Sequence, residues 1–399
     1  MQFSENVEKL KPSATIAVST LAKKLAAEGR DIINLSAGEP DFDTPSFIAE
    51  AAISGIRDGR TRYTPPAGVP ELRAAIAAHL SDRAGRTLPA EGVVVTAGAK
   101  QALFNAIFSL FGPGDEVLIA APYWTTYPDL VTIARAEPKP VFGTEANDFK
   151  VTPAELEEAW TGAARGLVVN TPSNPTGAVY SLGELRAIAE WARARDVWLI
   201  SDEIYGNIYH DGPGAAPGLL DLPADSLGSF VLIDGASKSF AMTGWRMGFS
   251  YTDPEVARKF TALQSQMTSN AATPSQVAAL EAYANRDLSM RSLESMGEAF
   301  RRRRDLVVRR LQELLPGVPY VHPGGAFYLF FRVDGFFGDA VQDATAWCSA
   351  LLEREGVALV PGAAFGDDRW VRMSFATSDE VLEEAFTRIA AMVGAASPR

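Results

Sequence analysis

Five short, nearly continuous apolar runs mark the first two-thirds of the chain: GVVVTAG (92–98), EVLIAAP (116–122), GLVVNTP (166–172), VWLISDE (197–203) and FVLIDGA (230–236). Unbroken Val, Ile and Leu, without alternation, predict strands buried on both faces, as in a parallel sheet. Between two of these runs, LGELRAIAEWARAR (182–195) carries apolar residues at helical spacing and predicts a crossover helix. A longer helical pattern covers 286–316, and GGAFYLFFRV and RWVRMSFA then predict a second set of strands. Residues 1–30 read as an arm and a helix ending at Gly29. Helices and strands alternating in this way predict an α/β protein.

At 399 residues the chain exceeds the size at which a single core stops growing, so two domains are expected. Its net charge of −12 argues against nucleic acid and against an anionic membrane as partners. A small anionic ligand is still allowed, because one site can be basic in an acidic protein. Cys348 is the only cysteine, which excludes a disulfide within the chain and fits a reducing cytoplasm. No apolar run reaches the length of a membrane span, and the N-terminus lacks the basic start and apolar stretch of a signal peptide. His79, His210 and His322 are scattered, and no metal-ligand spacing, phosphate-binding GxxxxGK[ST] or nucleophile GxSxG appears, so no metal is expected. The run RRRR at 301–304, flanked by Glu298 and Asp305, reads as a solvated helix face.

Ligands of open parallel sheets bind beyond the carboxyl ends of the strands. Asn174 follows GLVVNTP, Asp202 and Tyr205 close and follow VWLIS, and Lys238 follows FVLIDGAS. Gly98, Ala99 and Lys100 follow GVVVT and open the helix AKQALFNAIFSLF. Several strand ends thus deliver polar or small residues to one edge. The helix after Gly98 offers free amides and a dipole to a phosphate, with Lys100 and Arg246 adding charge. A lysine held in a buried or cationic setting is an amine nucleophile. An aspartate at depth, such as Asp202, needs a positive partner. Phosphate, amine-reactive aldehyde and protonated ring nitrogen together describe pyridoxal 5′-phosphate.

The motifs SAGEPDFDTP, YTPPAGVPELR, AGAKQALFNA, APYWTTYPD, NTPSNPTG, SDEIYG, SKSFAMTGWRMG, GGAFY and PGAAFG extend over nearly the whole chain. In them the sequence resembles the class I aminotransferases of fold type I, in the bacterial aspartate/prephenate branch. The resemblance implies a mostly parallel large-domain sheet sandwiched by helices, with residues 46–289 as the cofactor-binding domain. Residues 1–45 and 290–399 would then form a smaller α/β domain with an N-terminal arm. It implies that Lys238 binds the cofactor aldehyde and moves protons, that Asp202 pairs with the ring nitrogen, and that Tyr205 and Asn174 bond the ring oxygen. Trp124 would stack on the ring, while Gly98, Ala99, Lys100, Ser237 and Arg246 would surround the phosphate. Tyr63 would reach the phosphate of a neighbouring subunit, which makes the protein a homodimer with shared sites. Arg372 would clamp the substrate α-carboxylate, helped by Asn174 and the backbone at Gly38. Tyr123, Tyr127 and Phe327 read as packing, and Gly68, Gly177, Gly324 and Gly325 as turn formers.

The implied reaction is ping-pong transfer of an amino group from L-aspartate to 2-oxoglutarate, with Lys100 reaching the distal carboxylate and Ser13 and Thr15 lining its pocket. Prephenate-active relatives carry an arginine where this chain has Lys9, which keeps the charge and loses the fork. SNAATPSQ (269–276) also departs from relatives that have proline after the asparagine. Aromatic and alanine-type donors stay open. A carbon–sulfur β-lyase would use the same Lys238 and Asp202. A transcription regulator built on this domain is disfavoured by the charge and by GEPDFDTP beginning at residue 38.

Overall fold

The computed structural model describes residues 4–8, 10, 14–339 and 341–396. The expectations placed on Lys9 and Ser13 lie outside these residues. Strand β1 (Ile33–Asn34) precedes a seven-stranded sheet made of β2 (Val93–Thr96), β3 (Glu116–Ala121), β4 (Glu137–Phe142), β5 (Ala164–Asn170), β6 (Trp198–Asp202), β7 (Phe230–Gly235) and β8 (Gly248–Tyr251). Its strand order is β2-β8-β7-β6-β5-β3-β4. All pairs are parallel except those of β8, which runs antiparallel to both β2 and β7.

Side-chain alternation splits the sheet residues between two layers of helix. Val168, Ile200, Val231 and Ile233 pack with the helix Ala99–Leu110, while Leu167, Val169 and Leu199 pack with the helix Leu182–Ala194. The central strands therefore carry apolar side chains on both faces, which is why they read as unbroken runs. Two strands escape that reading. Edge strand β4 is EPKPVF, where Pro138 and Pro140 are tolerated because one side of an edge strand makes no ladder hydrogen bonds. Strand β8 has four residues and begins with glycine.

The remaining strands are β9 (Tyr320–Val321), β10 (Tyr328–Arg332), β11 (Val357–Ala358), β12 (Val360–Pro361) and β13 (Trp370–Ser374). Four of them form an antiparallel sheet of order β12-β13-β10-β9, and β1 pairs in parallel with β11. Ile33 and Leu35 share a core with Phe300, Phe327, Trp347 and Phe386.

The helix Arg286–Leu314 links the two sheets in sequence and corrects the reading of RRRR. Arg303 and Arg304 are buried rather than solvated. Arg303 makes a two-pronged pair with Asp41 at 2.7 and 2.8 Å. Arg304 donates to Asp211 at 2.8 Å and to Asp305 at 2.6 Å. Buried guanidinium groups need such partners. Asp41 and Asp211 come from distant segments, so the flanking acids alone gave no sign of burial. Arg302 bonds Asp379 at 2.8 Å and Arg301 bonds the His210 carbonyl.

Candidate active site

The antiparallel turn of β8 explains the grouping of Lys238 and Arg246. Strand β7 ends at Gly235, the chain makes the short helix Ala236–Ser239, and β8 returns from Gly248. Both basic residues therefore lie on one twelve-residue connection at the carboxyl end of β7. The neighbouring ends of β5 and β6 are in register, Asn170 opposite Asp202. Asn170 donates to the Asp202 carbonyl at 2.8 Å and accepts from the Asn174 amide at 2.7 Å. That pair of bonds fixes the loop bearing Asn174 to the strand bearing Asp202.

These ends border a cavity of about 290 Å³ whose walls include Gly38, Ala99, Lys100, Trp124, Asn174, Asp202, Tyr205, Ser237, Lys238, Arg246 and Arg372. Thr15 also lines it, and its buried hydroxyl has no partner among the described residues. Among those residues, the lining has four cations, Lys100, Lys238, Arg246 and Arg372, against the single carboxylate of Asp202. The chain as a whole has the opposite sign of charge.

Lys238 Nζ donates to the Gly38 carbonyl at 2.6 Å. Burial lowers its pKa from 10.5 to about 8; Glu39 works against that shift, and Arg246 and Arg372 add to it. Asp202 is buried. Its Oδ2 accepts from the Tyr127 hydroxyl at 2.7 Å and its Oδ1 from the Ile204 amide at 3.2 Å. Desolvation raises its pKa to about 6 in spite of these two donors. Tyr127, read from sequence as packing, is thus corrected: it is a buried hydrogen-bond donor to the carboxylate, and Trp124 packs edge-on against it at 5.5 Å. No local signal could have revealed a partner 75 residues away.

The helix Ala99–Leu110 starts at Gly98, whose φ of 82° suits glycine. A Cβ there would meet Arg246 Nη2 at 2.5 Å, so the guanidinium lies directly against the helix start. The first amides of a helix lack internal acceptors, and with Arg246 they form an anion-binding corner. Lys100 Nζ lies 4.8 Å from the Trp124 ring centroid. Burial, with Arg246 nearby, lowers the Lys100 pKa.

Arg372, on β13, is 1% exposed. Its Nη1 donates to Asn174 Oδ1 at 2.9 Å and its Nη2 to the Ser36 carbonyl at 2.7 Å. Its Nε has no partner, and no carboxylate pairs with it among the described residues. Its guanidinium lies 4.5 Å from the ring centroid of Tyr328, whose hydroxyl meets that of Tyr205 at 2.8 Å. Tyr328 carried no role in the sequence reading. Phe327, read as packing, stacks on Phe300 in the core. Tyr63 stands apart from the cavity of its own chain and is 90% exposed.

Pyridoxal 5′-phosphate fits these residues. The helix start with Arg246 offers a phosphate corner, Lys238 an amine, and Asp202 a buried carboxylate that, among the described residues, has no cation in hydrogen-bond contact. The space beside Gly98 and Gly248 is closed to any Cβ. Class I aminotransferases depend on this cofactor and take amino acids and 2-oxo acids as substrates.

Comparison with known proteins leads to the same family. The profile of "Aminotransferase class I and II" matches residues 30–389. The aspartate/prephenate aminotransferase of Cereibacter sphaeroides is 43% identical, with 98% of each chain covered. Its Thermus thermophilus counterpart is 42% identical, with 99% of each chain covered. The solved structure of Thermus thermophilus aspartate aminotransferase with maleate superposes with a TM-score of 0.92 at 40% identity, covering 98% of this chain and 99% of that one. The protein is therefore a pyridoxal-phosphate-dependent enzyme and belongs to the class I and II aminotransferases.

Proposed function

We propose that the enzyme transfers the amino group of L-aspartate to 2-oxoglutarate by a ping-pong mechanism. The observation carrying this reading is Arg372, a buried guanidinium with a free Nε and no counter-ion among the described residues, facing a cavity that has a second cation, Lys100, in its wall. A dicarboxylic amino acid presents two anions to two such cations. The relatives, both aspartate/prephenate aminotransferases, support the choice of aspartate.

Bound through Lys238, the cofactor supplies an electron sink that makes the α-proton of an amino acid labile. Lys238 carries that proton: burial brings its amine near neutrality, so it can accept at one atom and donate at another. Arg372 holds the α-carboxylate by a two-pronged bond, with Asn174 and the Gly38 backbone beside it. Trp124, in the wall of the cavity, would pack against the ring and limit how the bound cofactor moves. Asp202, held by Tyr127, would pair with the ring nitrogen, and Tyr205 and Asn174 would bond the ring oxygen. Gly98, Ala99, Lys100, Ser237 and Arg246 would hold the phosphate, joined by Tyr63 from a second subunit. Lys100 also meets the distal carboxylate of aspartate.

The same reading makes the protein a cytoplasmic homodimer, supported by a buried free Cys348 and by the exposure of Tyr63. Residues 46–289 form its large domain, and residues 1–45 with 290–399 its small one; the pairing of β1 with β11 supports that division.

The test is the absorption spectrum of purified holoprotein before and after L-aspartate, without any oxo acid. The band of the lysine-linked cofactor should give way to that of its amine form, with stoichiometric oxaloacetate. A band that ignores aspartate would remove aspartate as donor. Prephenate as acceptor is a second reading, favoured by the likeness to the two aspartate/prephenate aminotransferases; amination of prephenate by the aspartate-treated enzyme would establish it.

A further inference from the structure

We propose that Tyr328 is a positioning residue that couples the two halves of the site, setting the Tyr205 hydroxyl with its own hydroxyl and the Arg372 guanidinium with its ring. This rests on the reading above, in which Tyr205 bonds the ring oxygen and Arg372 binds the α-carboxylate. Tyr328 opens β10, two positions from the residue paired with Arg372 across the ladder. It is fully buried, so its hydroxyl requires a protein partner. That partner is Tyr205 Oη at 2.8 Å, the two rings meeting edge-on with centroids 5.7 Å apart. On the other side the Arg372 guanidinium stands 4.5 Å from the Tyr328 ring centroid.

The chemistry of each contact is specific. Tyr205 has one hydroxyl proton. If it donates that proton to an acceptor in the cavity, Tyr328 must be the donor in the tyrosine pair. A donor behind Tyr205 polarises its O–H and strengthens the bond it makes, which is the cooperativity of hydrogen-bonded chains. The ring contact does different work. Arg372 has no counter-ion among the described residues, and the quadrupole of an aromatic face attracts a cation without neutralising it. The guanidinium is thereby oriented and still free to take a carboxylate. Asn174 and the Ser36 carbonyl fix its other edge. Gly38 completes the fit, since a Cβ there would meet Tyr328 Oη at 3.0 Å. The charged groups facing Tyr205 are Arg372, Asp202 and Lys238.

Two substitutions separate the two contacts. Tyr328→Phe keeps the ring and deletes the hydroxyl; Tyr328→Leu deletes both, with Tyr328→Met as the replacement should the leucine protein not fold. Each holoenzyme is titrated with pH by the visible absorption of its lysine-linked cofactor, and each is titrated with maleate as a substrate-like dicarboxylate. In Tyr328→Phe the spectroscopic midpoint should rise by roughly half a unit, with maleate affinity within about twofold of the parent. In Tyr328→Leu the midpoint should rise similarly and maleate should bind roughly tenfold more weakly. An unmoved midpoint in Tyr328→Phe overturns the hydroxyl coupling, and maleate affinity in Tyr328→Leu equal to that of Tyr328→Phe overturns the ring contact. A parent protein without lysine-linked absorption would overturn the cofactor reading itself, and this inference with it.

Discussion

Asp202 concentrates the energetic conflict of the site in one carboxyl group. Burial pushes its pKa from the ordinary 3.8 to about 6, and the donors Tyr127 and Ile204 only partly oppose the shift. Between those two values the folded protein without cofactor binds more protons than the unfolded chain. Its stability therefore falls as pH rises through that window, and the penalty is fully present at pH 7. Asp202→Asn keeps the shape and removes the charge; its oxygen can accept from the Ile204 amide while its NH2 donates to the Tyr127 hydroxyl, which reverses its role. Cofactor-free Asp202→Asn should be more stable than the parent at pH 7, by on the order of 1–3 kcal/mol, and the gain should shrink toward pH 5. Urea denaturation of both proteins at the two pH values measures this; an equal difference at both would show that the carboxylate is not the source. If Asp202 pairs with the ring nitrogen as proposed, the same variant should hold pyridoxal phosphate more weakly. A group that destabilises the empty protein and binds the loaded one marks a functional position.

At the scale of elements, the site depends on how closely β8 passes the start of the helix Ala99–Leu110. A Cβ on Gly248 would fall 2.3 Å from the Ala99 amide nitrogen and 2.5 Å from the Gly98 carbonyl carbon. Gly248→Ala should thus push the helix start away from Arg246 and open the phosphate corner. We expect cofactor affinity to fall about tenfold or more, with a loss of roughly 1–3 kcal/mol in stability. Gly112→Ala, where nothing lies within 4 Å, is the control and should bind as the parent does. Titration of cofactor-free proteins with pyridoxal phosphate decides between them. This contact was invisible in the sequence, where Gly248 is one small residue in a motif. The buried strands were legible because both of their faces are apolar, and their ends delivered Asn174, Asp202 and Lys238 directly. Strand β4, with its prolines, and β8, with its four residues, lack that pattern. Tyr127, Tyr328 and the pair Arg303 and Arg304 were misread or passed over for a common reason. Each is defined by partners far along the chain, and periodicity reports only on neighbours.

At the scale of the whole molecule, the question is what covers Tyr63. It is 90% exposed, yet its loop is firmly held. The Arg62 carbonyl accepts from Thr273 at 2.7 Å, Thr64 Oγ1 accepts from Gln276 at 2.9 Å, and the Val69 amide donates to Gln276 at 2.8 Å. Those partners open the helix Thr273–Ala284 and belong to SNAATPSQ itself. Ile53, Ile56 and Met267 are exposed apolar side chains on helices of the same chain. A rigid loop presenting an exposed aromatic ring, with further exposed apolar side chains on the chain, fits a self-complementary contact between two copies. If Tyr63 completes the phosphate corner of a neighbouring subunit, a site draws Lys238 from one chain and Tyr63 from the other. Lys238→Ala alone should abolish transamination, and Tyr63→Ala should lower it strongly. Unfolding the two variants together and refolding them would then give mixed dimers in which one site carries both defects and the other carries none. With random pairing about half the dimers are mixed, so activity should recover to about a quarter of the parent value. Recovery to that level, with elution at the mass of a dimer, requires a shared site. Activity no higher than that of Tyr63→Ala at the same dilution would mean that each chain builds its site alone, and the exposure of Tyr63 would then need another partner.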